Sequence, residues 1–198
     1  MHSLDPSQIR VPGLEIRVVE RCTSTNEVLR DDRSPAPILL AAELQTAGRG
    51  RHGRRWRSRR GAGATFTIRR HMRCEQRRLA GLSIAVGISS ARALRKLGAR
   101  GVAVKWPNDL MVNRRKLGGV LIETRPAAAA SAPGSVVIVG IGINCRVQPR
   151  LGARLGRGVA ALDEVLHRPV SRNAVIGAVA RDVLATLEAW ERAVGKAA

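Results

Sequence analysis

Residues 45–56 read Q-T-A-G-R-G-R-H-G-R-R-W, and the choice of fold turns on what lies on either side of them. The spacing Gly48-x-Gly50-x-x-Gly53 follows an apolar run, Ile38 to Ala42, that reads as a buried strand, the setting of a dinucleotide-binding turn. A Rossmann unit needs a helix packed directly behind the third glycine. Here Arg54, Arg55, Trp56, Arg57, Ser58, Arg59 and Arg60 follow with no helical apolar period, so the doubly wound reading fails on context. What remains is a loop whose glycines let the backbone come close to a ligand and whose arginines offer planar, permanently charged forks to phosphate or carboxylate oxygens. Taken alone, such a loop is either an anion holder or a solvated basic segment.

The 198 residues suit one sizeable domain, and 44% hydrophobic content supplies a core. A net charge of +20 points toward nucleic acid or another polyanion, yet lysine occurs only at Lys96, Lys105, Lys116 and Lys196. So lopsided a ratio, beside abundant Ala, Gly and Val, also follows from biased coding composition, and the charge has little weight as a functional signal. One Phe, three Trp and no Tyr leave little material for stacking single-stranded bases. Cys22, Cys74 and Cys145, with His2, His52, His71 and His167, form neither a disulfide framework nor a metal-ligand spacing, and read as isolated thiols of a reducing cytoplasm. No apolar run reaches about eighteen residues and no charged-then-apolar leader is present, so neither a membrane span nor export is predicted.

Along the chain, the residues before Glu15 read as a loose start, and Glu15 to Glu20 alternates as a strand. Ser24 and Glu27 have capping-box spacing and open a short helix ending near Arg30; the same hydroxyl and amide groups of Ser24, Thr25 and Asn26 also suit a polar, uncharged ligand. Strands are expected at Ile38 to Glu43 and Gly61 to Arg70, then one helix over Gln76 to Leu97 closed by Gly98. Val102 to Trp106 is a short strand halted by Pro107. Leu110 to Val112, a turn at Asn113-Arg114-Arg115, and Lys116 to Glu123 then form a hairpin. Lys105 and Lys116 read as edge-strand charges or site residues, and Asn108-Asp109 as a turn pair or part of that site. Arg125 to Ser135 is a low-complexity surface connection, Val136 to Asn144 is the most strand-like segment, and the pattern is helical over Val159 to Leu166 and Ser171 to Val194.

Five stretches, in this order and spacing, resemble the catalytic domain of a biotin protein ligase over almost the whole length: S-T-N at 24–26, Q-T-A-G-R-G-R-H-G-R-R-W at 45–56, K-W-P-N-D-L at 105–110, K-L-G-G-V-L-I-E at 116–123 and G-I-G-I-N at 140–144. The resemblance implies an α+β domain with a mixed, mostly antiparallel sheet and helices packed on one face, the class II synthetase-like fold of biotin and lipoate ligases. It implies activation of biotin by Mg-ATP to biotinyl-5′-AMP and transfer to a lysine of a biotin carboxyl carrier protein, in the cytoplasm. The expected domain is single, residues 1–198, with no N-terminal helix-turn-helix, hence no DNA partner, and no C-terminal SH3-like barrel.

By similarity, Ser24, Thr25, Asn26, Gln45, Arg49, Gly50, Arg51, Lys116 and Gly118 serve biotin, Gly118 by leaving room for its chain. Arg49, Arg51, Trp56, Asn108 and Asn144 serve the nucleotide, and Lys116, Arg51 and Asp109 the chemistry. Asp109 orients either the Mg-nucleotide or the incoming lysine, and no resident metal is assigned. Two other functions stay in view. A lipoate or octanoate ligase or transferase shares the architecture, although its usual R-R-x-S-G-G-G-type loop is not found, and a non-enzymatic nucleic-acid binder would exploit the charge but explains none of the five stretches.

Overall fold

The computed structural model describes residues 3–57, 59–127, 134–148, 152, 156 and 158–195. Seven strands form one sheet: β1 (Glu15–Cys22), β2 (Ile38–Gln45), β3 (Gly63–Met72), β4 (Ala103–Lys105), β5 (Asp109–Val112), β6 (Arg115–Pro126) and β7 (Ser135–Asn144). Their order is β1-β2-β3-β7-β6-β5-β4. β1 and β2 run parallel, joined over α1 (Thr25–Asp31), and every other pairing is antiparallel. The predicted mixed, mostly antiparallel sheet is the one observed.

Strand alternation sorts this sheet into two chemically different faces. Ala64, Phe66 and Ile68 of β3 and Val137, Val139, Ile141 and Ile143 of β7 point into the main core, under α2 (Leu82–Lys96) and α4 (Arg172–Gly195). α4 presents Val175, Ile176, Val179, Val183 and Leu187, all at 0% exposure, as the stripe its helical period predicts. The opposite face shows Thr65, Thr67, Gly140 and Gly142, residues too small or too polar to build a core. α1 covers part of that face, with Leu29 packed on Ile38 and Leu40. Another part of it forms the floor of the cavity described below.

Several boundaries differ from expectation. The residues before Glu15 are not loose: Leu4, Ile9 and Val11 are buried, and a 3₁₀ turn at Pro6–Gln8 is capped by Asp5, whose carboxylate accepts from the Ser7 amide at 2.9 Å. Three scattered apolar residues give no period to read, yet they close one end of the core. The single helix expected over 76–97 is two pieces, a 3₁₀ turn at Gln76–Leu79 and then α2, because Gly81 adopts φ 87° between them. Trp190 of α4 fixes that break by donating its indole N–H to the Arg78 carbonyl at 3.0 Å.

The helix expected from Val159 is shorter, α3 (Leu162–Leu166), since Val159 instead pairs with Lys116 as an isolated bridge. The low-complexity connection is narrower than read, β6 reaching Pro126 and β7 starting at Ser135; its centre, 128–133, lies outside the described residues. The predicted turn is seen, Asn113 and Arg114 both taking the positive φ of a tight hairpin. A buried ion pair staples β2 to the start of α4: Arg172 donates to both Glu43 oxygens, at 2.8 and 2.9 Å.

Candidate active site

The floor of the site is a chain of neutral polar groups. Thr25 donates its amide N–H to Gln45 Oε1 at 2.7 Å, and its hydroxyl lies 3.0 Å from the same oxygen. Thr67 of β3 donates from Oγ1 at 2.7 Å to Asn26 Oδ1, and the same hydroxyl lies 2.7 Å from Thr25 Oγ1. Ser24 precedes α1 but makes no side-chain capping bond, so the expected capping box is not formed. The residue lines the cavity instead. Ser24, Thr25, Asn26 and Gln45 are all at most 8% exposed, and a polar cluster this buried is stable only when each group is partnered.

A cavity of about 480 Å³ opens above this floor. Its roof is the arginine loop, which folds as a hairpin rather than an open segment. Gly50 N–H donates to the Arg54 carbonyl at 2.7 Å, Trp56 N–H donates to the Gly48 carbonyl at 2.9 Å, and Arg49 pairs across to Arg55. His52 and Gly53 at the tip take positive φ, 54° and 71°. Arg49, Gly50 and Arg51 line the cavity, and Trp56 lies flat against β7. The close approach requires glycine, since a Cβ on Gly142 would sit 2.5 Å from the indole ring and one on Gly140 would sit 2.1 Å from Asn26 Oδ1.

Lys116 reaches the same cavity because of a β-bulge. In the β5–β6 ladder Leu110 pairs with Gly118 but Met111 pairs with Lys116, so Leu117 is an extra residue. Strict alternation would place Lys116 on the face opposite Gly119; the bulge returns it to Gly119's side. There its ammonium is hydrogen-bonded to Asp109 Oδ1. Its backbone is held by residues 158–160: Lys116 N–H donates to Gly158 and Ala160 N–H donates back to Lys116, both at 2.9 Å. Asn108 lines the cavity while donating to the Val120 carbonyl at 2.8 Å, which pins the 106–108 turn to β6.

Two expected ligand contacts lie elsewhere. Gly118 faces away from the cavity, where a Cβ would meet the Gly142 carbonyl at 2.5 Å and Leu110 at 3.3 Å; the glycine at the cavity is Gly119, a consequence of the same bulge. Asn144 does not line the cavity, its amide donating to the Ala160 carbonyl at 3.1 Å and the Lys116 carbonyl at 3.4 Å. It braces the Lys116 backbone rather than facing the cavity.

Glu123 was missed among the site residues. It lies 3.1 Å from Arg49 and accepts from Asn26 Nδ2 at 2.8 Å, joining the roof to the floor. Its strand register, two residues beyond Leu121 on the cavity face, was the available signal. Thr67 and Trp106 were passed over as well, the latter lining the cavity at 75% exposure, and Lys105, left open between an edge-strand charge and a site residue, also lines it.

An α+β domain with a buried neutral floor, a cationic hairpin roof and a lysine entering from a distant bulge has a cavity that is uncharged at one end and cationic at the other. The chain belongs to the Biotin/lipoate A/B protein ligase family, whose model matches residues 18–144. It is 35% identical over 187 residues to the bifunctional ligase/repressor BirA of Escherichia coli, covering 92% of this chain and 56% of that protein. It is 31% identical over 192 residues to the biotin--[acetyl-CoA-carboxylase] ligase of Mycobacterium tuberculosis, covering 90% and 66%. Among solved structures, the biotin protein ligase from Aquifex aeolicus in complex with biotin and ATP superposes with a TM-score of 0.74 at 27% identity, over 92% of this chain and 73% of that one. The chain thus spans just over half the length of the E. coli relative.

Proposed function

We propose that this domain activates biotin with ATP and passes it to a lysine of a biotin carboxyl carrier protein. The observation that most supports this reading is the meeting of Arg49, Arg51 and Lys116 over the neutral Thr25–Asn26–Gln45 floor in one cavity. A ureido ring offers neutral donors and acceptors that match such a floor, and a carboxylate at the other end of the ligand then lies among the cations.

In the first step a carboxylate oxygen attacks the α-phosphorus of ATP, an O–P bond forms, and the bond to the leaving pyrophosphate breaks. Both reactants are anionic, so the cost is charge repulsion, and fixed cations at the meeting point lower it. Arg51 and Lys116 fill that role, with Asp109 holding the Lys116 ammonium in place. In the second step a neutral carrier amine attacks the acyl carbon of the mixed anhydride, the acyl C–O bond breaks, and AMP leaves. The amine's proton passes to solvent or to a nearby carboxylate, and Asp109 is the acidic side chain lining the cavity.

Trp56 and Asn108 flank the nucleotide in this reading, while Asn144 acts through the Lys116 backbone. Magnesium would arrive with the triphosphate, and Asp109, which lines the cavity, is the carboxylate that would hold it there. Such an ion would neutralise phosphate charge. Among the described residues no helix is long and apolar enough to cross a membrane, and Cys22, Cys74 and Cys145 are free thiols, in keeping with a cytoplasmic site of action.

The direct test is incubation with ATP, magnesium, biotin and an apo carrier domain, read by streptavidin. Labelling that requires all four components supports the proposal. Absent labelling with lipoate attached in biotin's place would overturn it in favour of the other branch of the family.

A further inference from the structure

On the cavity side of the sheet, beyond α1, three cationic or ionisable side chains come together from two strands. Arg69 and His71 lie on β3 and Arg125 on β6. β7 separates them, with His71 and Arg125 both paired to Val136 and Arg69 paired to Ile138, so all three share one face. Arg69 is 6% exposed, and its Nη1 donates to the Ser34 carbonyl at 2.5 Å. Arg69 Nε, His71 Nε2 and Arg125 Nε are each sealed from solvent with no acceptor among the described residues.

No carboxylate balances this charge. All 15 acidic side chains of the sequence lie in the described residues, and none forms an ion pair with Arg69 or Arg125. Asp32, the acid whose field reaches Arg69, is already paired to Arg17 at 2.7 Å and accepts from the Ser34 amide at 2.7 Å. Burial first, and then the neighbouring Arg125, Arg17 and Arg33, push the Arg69 guanidinium below its ordinary value. Buried arginine without a counter-charge is costly, and it is normally relieved by a forked contact to an oxyanion.

We infer that Arg69 and Arg125, with His71 at the edge, form a second anion site that accepts a phosphate or carboxylate group, separate from the catalytic cavity. Arg125 and His71 are only half-buried, so rotation of the Arg125 side chain admits the ligand from solvent to Arg69. The site is independent of the proposed ligase reaction.

The test follows the arginine Nε–H resonances of the full chain by NMR while inorganic phosphate is added at constant ionic strength. Saturable shifts of the Arg69 and Arg125 signals are expected. Arg125→Gln should weaken binding at Arg69 about tenfold, as loss of one charged hydrogen-bonding partner does, while Arg125→Lys, which keeps the charge without the fork, falls between. Arg100→Gln, which removes an equal charge from an exposed position, leaves binding unchanged. Acetate saturating more tightly than phosphate assigns a carboxylate ligand, and the reverse order assigns a phosphate. Shifts that merely track chloride, or equal phosphate binding by the Arg125→Gln and Arg100→Gln variants, overturn the proposal.

Discussion

The residue on which the proposed chemistry turns most is Lys116. Its ammonium is the one amine brought into the cavity by a register irregularity, and that irregularity also sends Gly118 away and Gly119 in. Lys116→Ala removes a preorganised charge without disturbing the backbone bonds to 158–160, so folding should persist. Biotin-dependent pyrophosphate exchange should fall by roughly 100- to 1000-fold, as when one oxyanion donor is lost. An unchanged exchange rate would remove the lysine from the mechanism. Gly140→Ala makes a different point at the same scale. The added methyl would press on Asn26 Oδ1, so the floor must shift. Calorimetry should show weakened biotin binding, and urea unfolding a loss of about 1–3 kcal/mol from overpacking.

Elements add constraints that single residues do not. β2 and α4 are tied by Glu43 and Arg172, 3% and 6% exposed at the side chain, in the core layer behind the site. Burial alone pushes the Glu43 carboxyl up, but the Arg172 hydrogen bonds and the Leu4 amide outweigh it, so its folded value lies below the ordinary 4.5. A lowered acid stabilises the fold at pH above the unfolded value, and that contribution fades as pH drops below 4.5 through the lowered one. Arg172→Met strands the carboxylate and should cost about 3–5 kcal/mol at neutral pH. Its stability should then rise, relative to wild type, as acid neutralises Glu43. Denaturant unfolding at pH 7 and pH 4 measures the crossover, and parallel pH curves for the two proteins would refute it.

The arginine hairpin is held by its own backbone bonds, by Glu123 at Arg49, by Arg55 on the Thr46 carbonyl and by Trp56 against β7, with its tip at Arg51–Gly53 reaching beyond these ties. Trypsin cleavage between Arg49 and Arg60 should slow when biotin and ATP are both present, since a bound anion neutralises the loop. Equal cleavage with and without ligands would count against closure.

At the scale of the whole molecule, the strand set and its mixed character were legible because apolar alternation and turn residues mark each strand locally: V-V-I-V-G-I-G-I-N could be little else than a central strand, and Asn113-Arg114 little else than a hairpin turn. Strand order was not, because nothing local in β3 says that it pairs with β7, 60-odd residues away. The bulge at Leu117 was equally hidden, since K-L-G-G-V-L-I-E reads as a regular strand, and with it which glycine faces the cavity. The anchoring of residues 4–11 had no period to betray it.

Charge is a property of this scale too, and it yields the last expectation. Of the ion pairs among the described residues, most involve exposed or half-exposed side chains such as Arg77–Glu75 and Arg17–Glu15, worth little and screened by salt. The +20 net charge acts over the whole surface and opposes compaction. Raising sodium chloride from about 50 to 500 mM shortens the screening length from roughly 14 Å to 4 Å, which weakens this repulsion more than it weakens scattered exposed pairs. The melting temperature of the ligand-free protein should therefore rise with salt. A fall would mean that the surface arginines are held by specific ion pairs rather than left to repel one another, and the cationic roof of the cavity would then need no ligand to settle it.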